Sequence, residues 1–131
     1  MKKILISGGN GKLSNCIKSY NTKYDIFAPN KKEMNVNNIN QIEEYIIKSK
    51  CDYFIHAAAL TRPMIRHDNE SDLSIKTNII GTSNVVLMCM KYNIKLIYIS
   101  TDYVYSGDEG GYKETDPLLP FNKYGWSKLG G

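Results

Sequence analysis

The sequence predicts an α/β fold in which helices wind a parallel sheet on both faces. Three observations carry this expectation. Short apolar runs alternate with stretches of helical periodicity along the 131 residues. Those runs are apolar throughout rather than at every second position, as in strands covered on both faces. The first run also ends in a glycine-rich corner, Gly8, Gly9 and Gly11, that opens directly into a helical pattern.

The elements follow in order. Residues 2–7 (KKILIS) are the first expected strand, stopped by glycine. Residues 11–20 place Leu13, Cys16, Ile17 and Tyr20 on one face of a helix. A second strand over residues 24–29 stops at Pro29. Residues 38–50 repeat isoleucine at 39, 42, 46 and 47, with Asn38 as the N-cap of a helix. Residues 51–59 (CDYFIHAAA) are a third strand. Residues 68–92 read as one long helix, with Leu73, Thr77, Ile80, Asn84, Leu87 and Met88 along one side. Residues 95–101 (KLIYIST) are a fourth strand. A loop with Gly107, Gly110, Gly111, Pro117 and Pro120 leads to a final helix (NKYGWSKLGG), which the end of the chain cuts short.

Composition bounds the partners. Charged residues make up 23% and hydrophobic residues 42%, an ordinary globular balance. The net charge is +4, but no run reaches the five or six like charges of a nucleic-acid-binding arm. No apolar stretch approaches the roughly 18 residues of a membrane span, and the apolar run in MKKILIS is too short for a signal sequence. Cys16, Cys51 and Cys89 are odd in number and form no CxxC pair, as expected for reduced thiols in the cytoplasm.

The glycine corner carries chemistry. At the first strand-to-helix turn, glycines permit a tight bend and let a pyrophosphate reach main-chain amides, with the helix N-terminus adding partial positive charge. The competing reading is a glycine-rich turn with no ligand. The spacing is G-x-x-G-x-x-S, with Ser14 where a third small residue packs helix on strand. After the second strand, many NAD sites place an acid for the ribose 2′-hydroxyl. Here Asn30, Lys31 and Lys32 come first, and the first acid is Glu33. Lysines attract a 2′-phosphate, which favours NADP(H) and leaves NAD(H) possible, although lysines at a turn are also ordinary solvated residues. Near the end, Tyr124 and Lys128 lie four residues apart, on one helical face. An ammonium beside a phenol favours the phenolate, so the pair suits proton transfer, though as a bare motif it recurs by chance. Gly8–Gly11, Ala57–Ala59 and Ser100–Thr101 fall at the carboxyl ends of expected strands, where such sheets bind ligands. They are expected to converge on one crevice.

Taken in order, ISGGNGKLS, IHAAALT, TNIIGTSNV, ISTDYVYSG and YKETDPLLPFNKYGWSKL resemble the extended short-chain dehydrogenase/reductase superfamily. The nearest subgroup is the dTDP-4-dehydrorhamnose reductases and related sugar-nucleotide reductases. The resemblance implies a Rossmann-type domain over residues 1–131 and a nucleotide-linked 4-keto-6-deoxy sugar as substrate. It assigns the pyrophosphate to Gly8, Gly9, Asn10, Gly11, Lys12 and Leu13. Asn30 and Lys31 fall at the 2′-phosphate, and Asn35 and Val36 flank the adenine. Ala57, Ala58, Ala59 and Thr61 line the nicotinamide side, with Asn78 and Ser100 near the active centre. Thr101, Tyr124 and Lys128 form the catalytic set: Tyr124 protonates the ketone, and Lys128 binds ribose hydroxyls and lowers the phenol's pKa. Family members continue for about as long again, so a C-terminal substrate lobe is expected to be missing. Its loss would leave residues 95–100 as an exposed edge prone to self-association. Two other readings stay open: a non-catalytic nucleotide-binding module, as in the regulatory subunit of methionine adenosyltransferase, and a sugar-nucleotide epimerase or dehydratase.

Overall fold

A computed structural model describes residues 1–20 and 23–131. Four parallel strands, β1 (Lys3–Ser7), β2 (Asp25–Phe27), β3 (Tyr53–His56) and β4 (Lys95–Tyr98), form one sheet in the order β2-β1-β3-β4. Helix α1 (Lys12–Tyr20) connects β1 to β2, and α2 (Ile39–Ser49) connects β2 to β3. The chain steps one way from β1 to β2 and the other way from β2 to β3. Right-handed crossovers therefore place α1 and α2 on opposite faces. Doubly winding is borne out.

The connection from β3 to β4 departs from the single long helix expected. It consists of α3 (Ile65–Asn69), α4 (Ser71–Ser74), a π-helical stretch (Ile75–Ile80) and α5 (Gly81–Lys91). Its buried stripe is also rotated by one residue from the apolar pattern. Ser74, Asn78, Thr82, Val85, Met88 and Cys89 are buried, while Ile80 is 47% and Leu87 54% exposed. The cause is polar: Ser74, Asn78 and Thr82 face inward because each finds a buried hydrogen-bond partner. A hydrophobicity count cannot register that.

The main core lies between the sheet and the α2/α5 layer. Leu5 and Phe54 meet Ile42 and Ile46 of α2 and Val85, Met88 and Cys89 of α5, with Met34 and Val36 closing the end. Each fully buried side chain of this size contributes about 1.5–3 kcal/mol. Asn38 caps α2 as expected, accepting from the amides of Asn40 and Gln41, although Ile47 is exposed. The register sets Leu5 beside Phe54 and Leu96, and two residues on, Ser7 beside His56 and Tyr98. The α5-facing surface thus carries an apolar row with a polar row above it, toward the carboxyl ends of the strands.

The opposite face is thinly covered, which corrects the expectation of strands buried on both sides. Ile6 is buried, Ile55 half-buried and Ile97 46% exposed across that face. Helix α1 presents Ser14 inward, leaving Leu13 41% and Tyr20 83% exposed. The expected face of Leu13, Cys16, Ile17 and Tyr20 does not form the contact, because the Ser14 hydroxyl docks the helix by donating to the Gly8 carbonyl at 2.9 Å. The three cysteines are free, as expected. No helix among the described residues is long and apolar enough to cross a membrane.

Candidate functional site

The glycine corner is built from close approaches. Gly8 sits at φ +77°, and a Cβ there would lie 3.2 Å from the Ala58 backbone. A Cβ on Gly9 would fall 1.9 Å from the Ala28 carbonyl oxygen, so no side chain fits. The Gly9 amide donates to Pro29 at 2.9 Å, and that of Gly11 to Gly8 at 2.8 Å. By contrast, the amides of Asn10, Lys12 and Leu13 meet no protein acceptor among the described residues. They are the free donors at the start of α1, where an anion is favoured. Lys18, from the last turn of the same helix, adds an ammonium 3.1 Å from the Gly9 carbonyl.

A cleft of about 720 Å³ opens there, lined by Gly8, Asn10, Gly11, Asn30, Lys31, Lys32, Asn35 and Ala57–Ala59. A second hollow of about 210 Å³ shares Gly8, Lys31, Asn35, Ala58 and Ala59 with it and adds Met34, Val36, Leu60, Arg66, Leu73 and Thr77. Of the segments expected to converge, the first-turn glycines and the β3-end alanines meet here, joined by the post-β2 lysines, while Ser100 and Thr101 line neither hollow. The charge here is positive. Lys31, Lys32 and Arg66 line the walls. The nearby acid, Glu33, is engaged by the Asn30 amide at 2.8 Å, while the Asn30 side-chain oxygen accepts from Lys32 and Glu33 in a turn. Arg66 was missed by sequence reading. It pairs with Glu70 across one helical turn, and that spacing was its only signal.

Helix α6 (Lys123–Gly130) carries the tyrosine and lysine. Asn122 caps it by accepting from the Gly125 amide at 2.7 Å. Tyr124 is 8% exposed; its ring lies against His67 at 5.1 Å and Tyr103 at 5.6 Å. Lys128 is 5% exposed, donates to the Ile99 carbonyl at 2.7 Å, and sits 4.1 Å above the Tyr98 ring. Burial pushes its ammonium down to about 8, while the carbonyl and the ring face favour the charged form. Gly125 lies between them because a Cβ there would strike the Tyr103 carbonyl oxygen at 2.3 Å.

Four expectations are corrected. Asn78 does not face the cleft: it is 1% exposed, and its amide is spent on both polar groups of the Leu60 backbone and on Ser127. Thr101 uses its hydroxyl to cap a short 3-10 turn (Asp102–Val104), accepting from Tyr103 and donating to Asp102, both at 3.3 Å. Thr61 lines neither hollow and instead offers its carbonyl to His67 at 3.3 Å. Ser100, Thr101, Tyr124 and Lys128 line neither of these two hollows. For Asn78, Thr101 and Lys128 the physical reason is shared: backbone groups left open where β3 and β4 end need partners, and these side chains supply them. Val36 reaches the smaller hollow while its carbonyl accepts from Asn84 at 3.0 Å.

The model of the family described as the RmlD substrate binding domain matches residues 1–131, the whole of the chain. The chain belongs to the RmlD family. As an RmlD-family chain it is 30% identical over 135 residues to the dTDP-4-dehydrorhamnose reductase of Aggregatibacter actinomycetemcomitans, covering 100% of this chain and 46% of that protein. A crystal structure of the dTDP-4-dehydrorhamnose reductase of Bacillus anthracis in complex with NADP superposes with a TM-score of 0.94 at 36% identity, over 99% of this chain and 47% of that one. Methionine adenosyltransferase 2 subunit beta of Bos taurus is 31% identical over 103 residues, 79% of this chain and 30% of that protein. The RmlD-family chain thus spans about half the length, or less, of these relatives.

Proposed function

We propose that this chain is the cofactor-binding and catalytic-residue portion of an NAD(P)H-dependent reductase of a nucleotide-linked 4-keto-6-deoxy sugar, with NADPH preferred. One observation carries the reading. The free Asn10 amide just before α1 and the cations Lys31 and Lys32 border a cleft at the carboxyl ends of the strands, which shares walls with a second hollow lined by the Glu70-paired Arg66. A pyrophosphate fits the amides, and a 2′-phosphate fits the lysines where a carboxylate would repel it. The likeness to an NADP-bound reductase supports the same preference.

The nicotinamide, when bound, supplies the hydride to the ketone carbon. Tyr124 supplies the proton to the oxygen, giving the alcohol. Lys128, one turn on along the same helix, is buried over the Tyr98 ring. The Ala58 backbone lies 3.2 Å from where a Gly8 Cβ would stand, so only glycine leaves that wall of the cleft clear. Titration with NADPH and NADH, followed by nucleotide fluorescence, tests the reading. Tighter binding of NADPH, weakened by Lys31→Glu, is expected; equal affinities that ignore Lys31→Glu would count against it.

A second reading is a nucleotide-binding module without turnover. The likeness to the methionine adenosyltransferase subunit and the use of the Thr101 hydroxyl as a cap favour it. An assay on a dTDP-4-keto-6-deoxy sugar separates the two. The edge of β4 also supports self-association as the partner contact, and the free cysteines support a cytoplasmic setting.

A further inference from the structure

The polar row above the core contains a histidine that the proposed chemistry does not use. His56 is 1% exposed at the end of β3, and the hydrogen bonds around it run in one direction. The amides of Ala57 and Ala58 both donate to Ser7 Oγ at 3.1 Å. With both acceptor positions of that hydroxyl filled, its single proton goes to His56 Nδ1 at 2.7 Å. Nε2 then carries the ring hydrogen and donates to Thr82 Oγ1 at 3.0 Å. Thr82 donates onward to the Asn78 carbonyl at 2.7 Å. The Asn78 side chain clamps the Leu60 backbone and donates to Ser127 Oγ at 2.8 Å, and Ser127 donates to the Tyr124 carbonyl at 2.8 Å.

The geometry points to His56 as a positioning residue. The relay Ser7–His56–Thr82–Asn78–Ser127 ties the Ala57–Ala59 floor of the cleft to the helix bearing Tyr124 and Lys128, so that both keep one relative placement. This answers how a catalytic set outside the hollows stays aligned with them. Its functional consequence rests on the reductase reading; the relay itself does not.

The relay admits one tautomer. A second proton on Nδ1 would meet a hydroxyl whose lone pairs are already taken by two amides, and Ser7 would have to release one of them. Tyr98 stacks on the ring at 5.8 Å and Lys128 adds a positive charge nearby, so neither neighbour offers that proton an acceptor. Buried polar networks that are fully satisfied specify a single arrangement. Among the described residues, no buried side-chain polar atom is left without a partner.

Nitrogen-15 NMR of the 131-residue chain reads the tautomer, and amide hydrogen exchange reads the coupling. The expected ring form is Nε2–H. Thr82→Val removes the hydroxyl and keeps the shape. It should speed exchange at least tenfold both at Ala57–Ala58 and across α6, and weaken NADPH binding at least fivefold. Thr82→Ser should restore both. Cys89→Ala, a core change away from the relay, should speed exchange at those amides only as far as its global loss of stability accounts for. An Nδ1–H ring, or α6 exchange unchanged by Thr82→Val, overturns the proposal. Should Thr82→Val not fold, Ser7→Ala must accelerate Ala57, Ala58 and α6 together or the proposal is wrong. If the wild-type chain binds no NADPH yet shows the tautomer and coupled exchange, the reductase reading fails and the relay stands.

Discussion

Lys128 and His56 show how burial sets chemistry one residue at a time. Burial holds the Lys128 ammonium at about 8, so it deprotonates just above neutrality. NADPH affinity should fall as pH rises through about 8, and Lys128→Met should flatten that dependence; a wild-type affinity constant from pH 7 to 9.5 would contradict this. His56 is pushed down to about 4, first by burial and then by the charge of Lys128. Its unfolded value is near 6.5, so the unfolded chain takes up the proton first. Stability is therefore full above about pH 6.5 and is lost as pH falls toward 4, by about 3 kcal/mol for a shift of this size. Urea unfolding at pH 7 and 4.5 measures this loss, and His56→Gln should remove most of the difference. Tyr124→Phe should abolish turnover in an active reductase and leave NADPH affinity within about twofold. Retained full rate would remove Tyr124 from the proton-donor role.

At the scale of elements, the helices were legible where burial is apolar and illegible where it is polar. Helix α2 follows its isoleucines and its Asn38 cap almost to the residue. In the connection from β3 to β4 the eye follows Leu73, Ile80 and Leu87, yet the buried line is Ser74, Asn78 and Thr82, each facing inward for a hydrogen bond. Helix α1 repeats the lesson, since Ser14 rather than Leu13 makes the contact. The glycine corner, the post-β2 lysines and the β3-end alanines were readable because they depend on backbone shape and charge at fixed places in a βα unit. The role of Asn78 was not, because it comes from residues 18 and 49 positions away in sequence. Helix α6 depends on a contact without side-chain room. Gly125→Ala sets a Cβ against the Tyr103 carbonyl oxygen and should cost about 1–3 kcal/mol in chemical unfolding, displacing Tyr124 as it does so. An unchanged midpoint would show that the helix yields freely.

For the molecule as a whole, coverage of the sheet is unequal. One face is sealed by α2 and α5, while the other leaves Ile97 46% exposed, and β4 forms an outer edge with no strand beyond it among the described residues. An apolar strand with unpaired backbone groups invites a second strand. Light scattering at high micromolar concentration should give a mass above that of the monomer, and Ile97→Lys should lower it. A monomeric mass for the wild-type chain would exclude association through this edge.

By itself the sequence determined the alternation of strands and helices, the bare first corner, and the residue types gathered at the strand ends. These follow from local periodicity and from backbone freedom, which neighbouring residues encode. Tertiary structure decided which side of each helix is buried, that Thr101 and Asn78 serve the fold before any ligand, and that Ser7, His56 and Thr82 join in one directed chain. Such outcomes depend on which polar groups meet across dozens of intervening residues, and a hydrogen bond has no partner until the chain has closed around it.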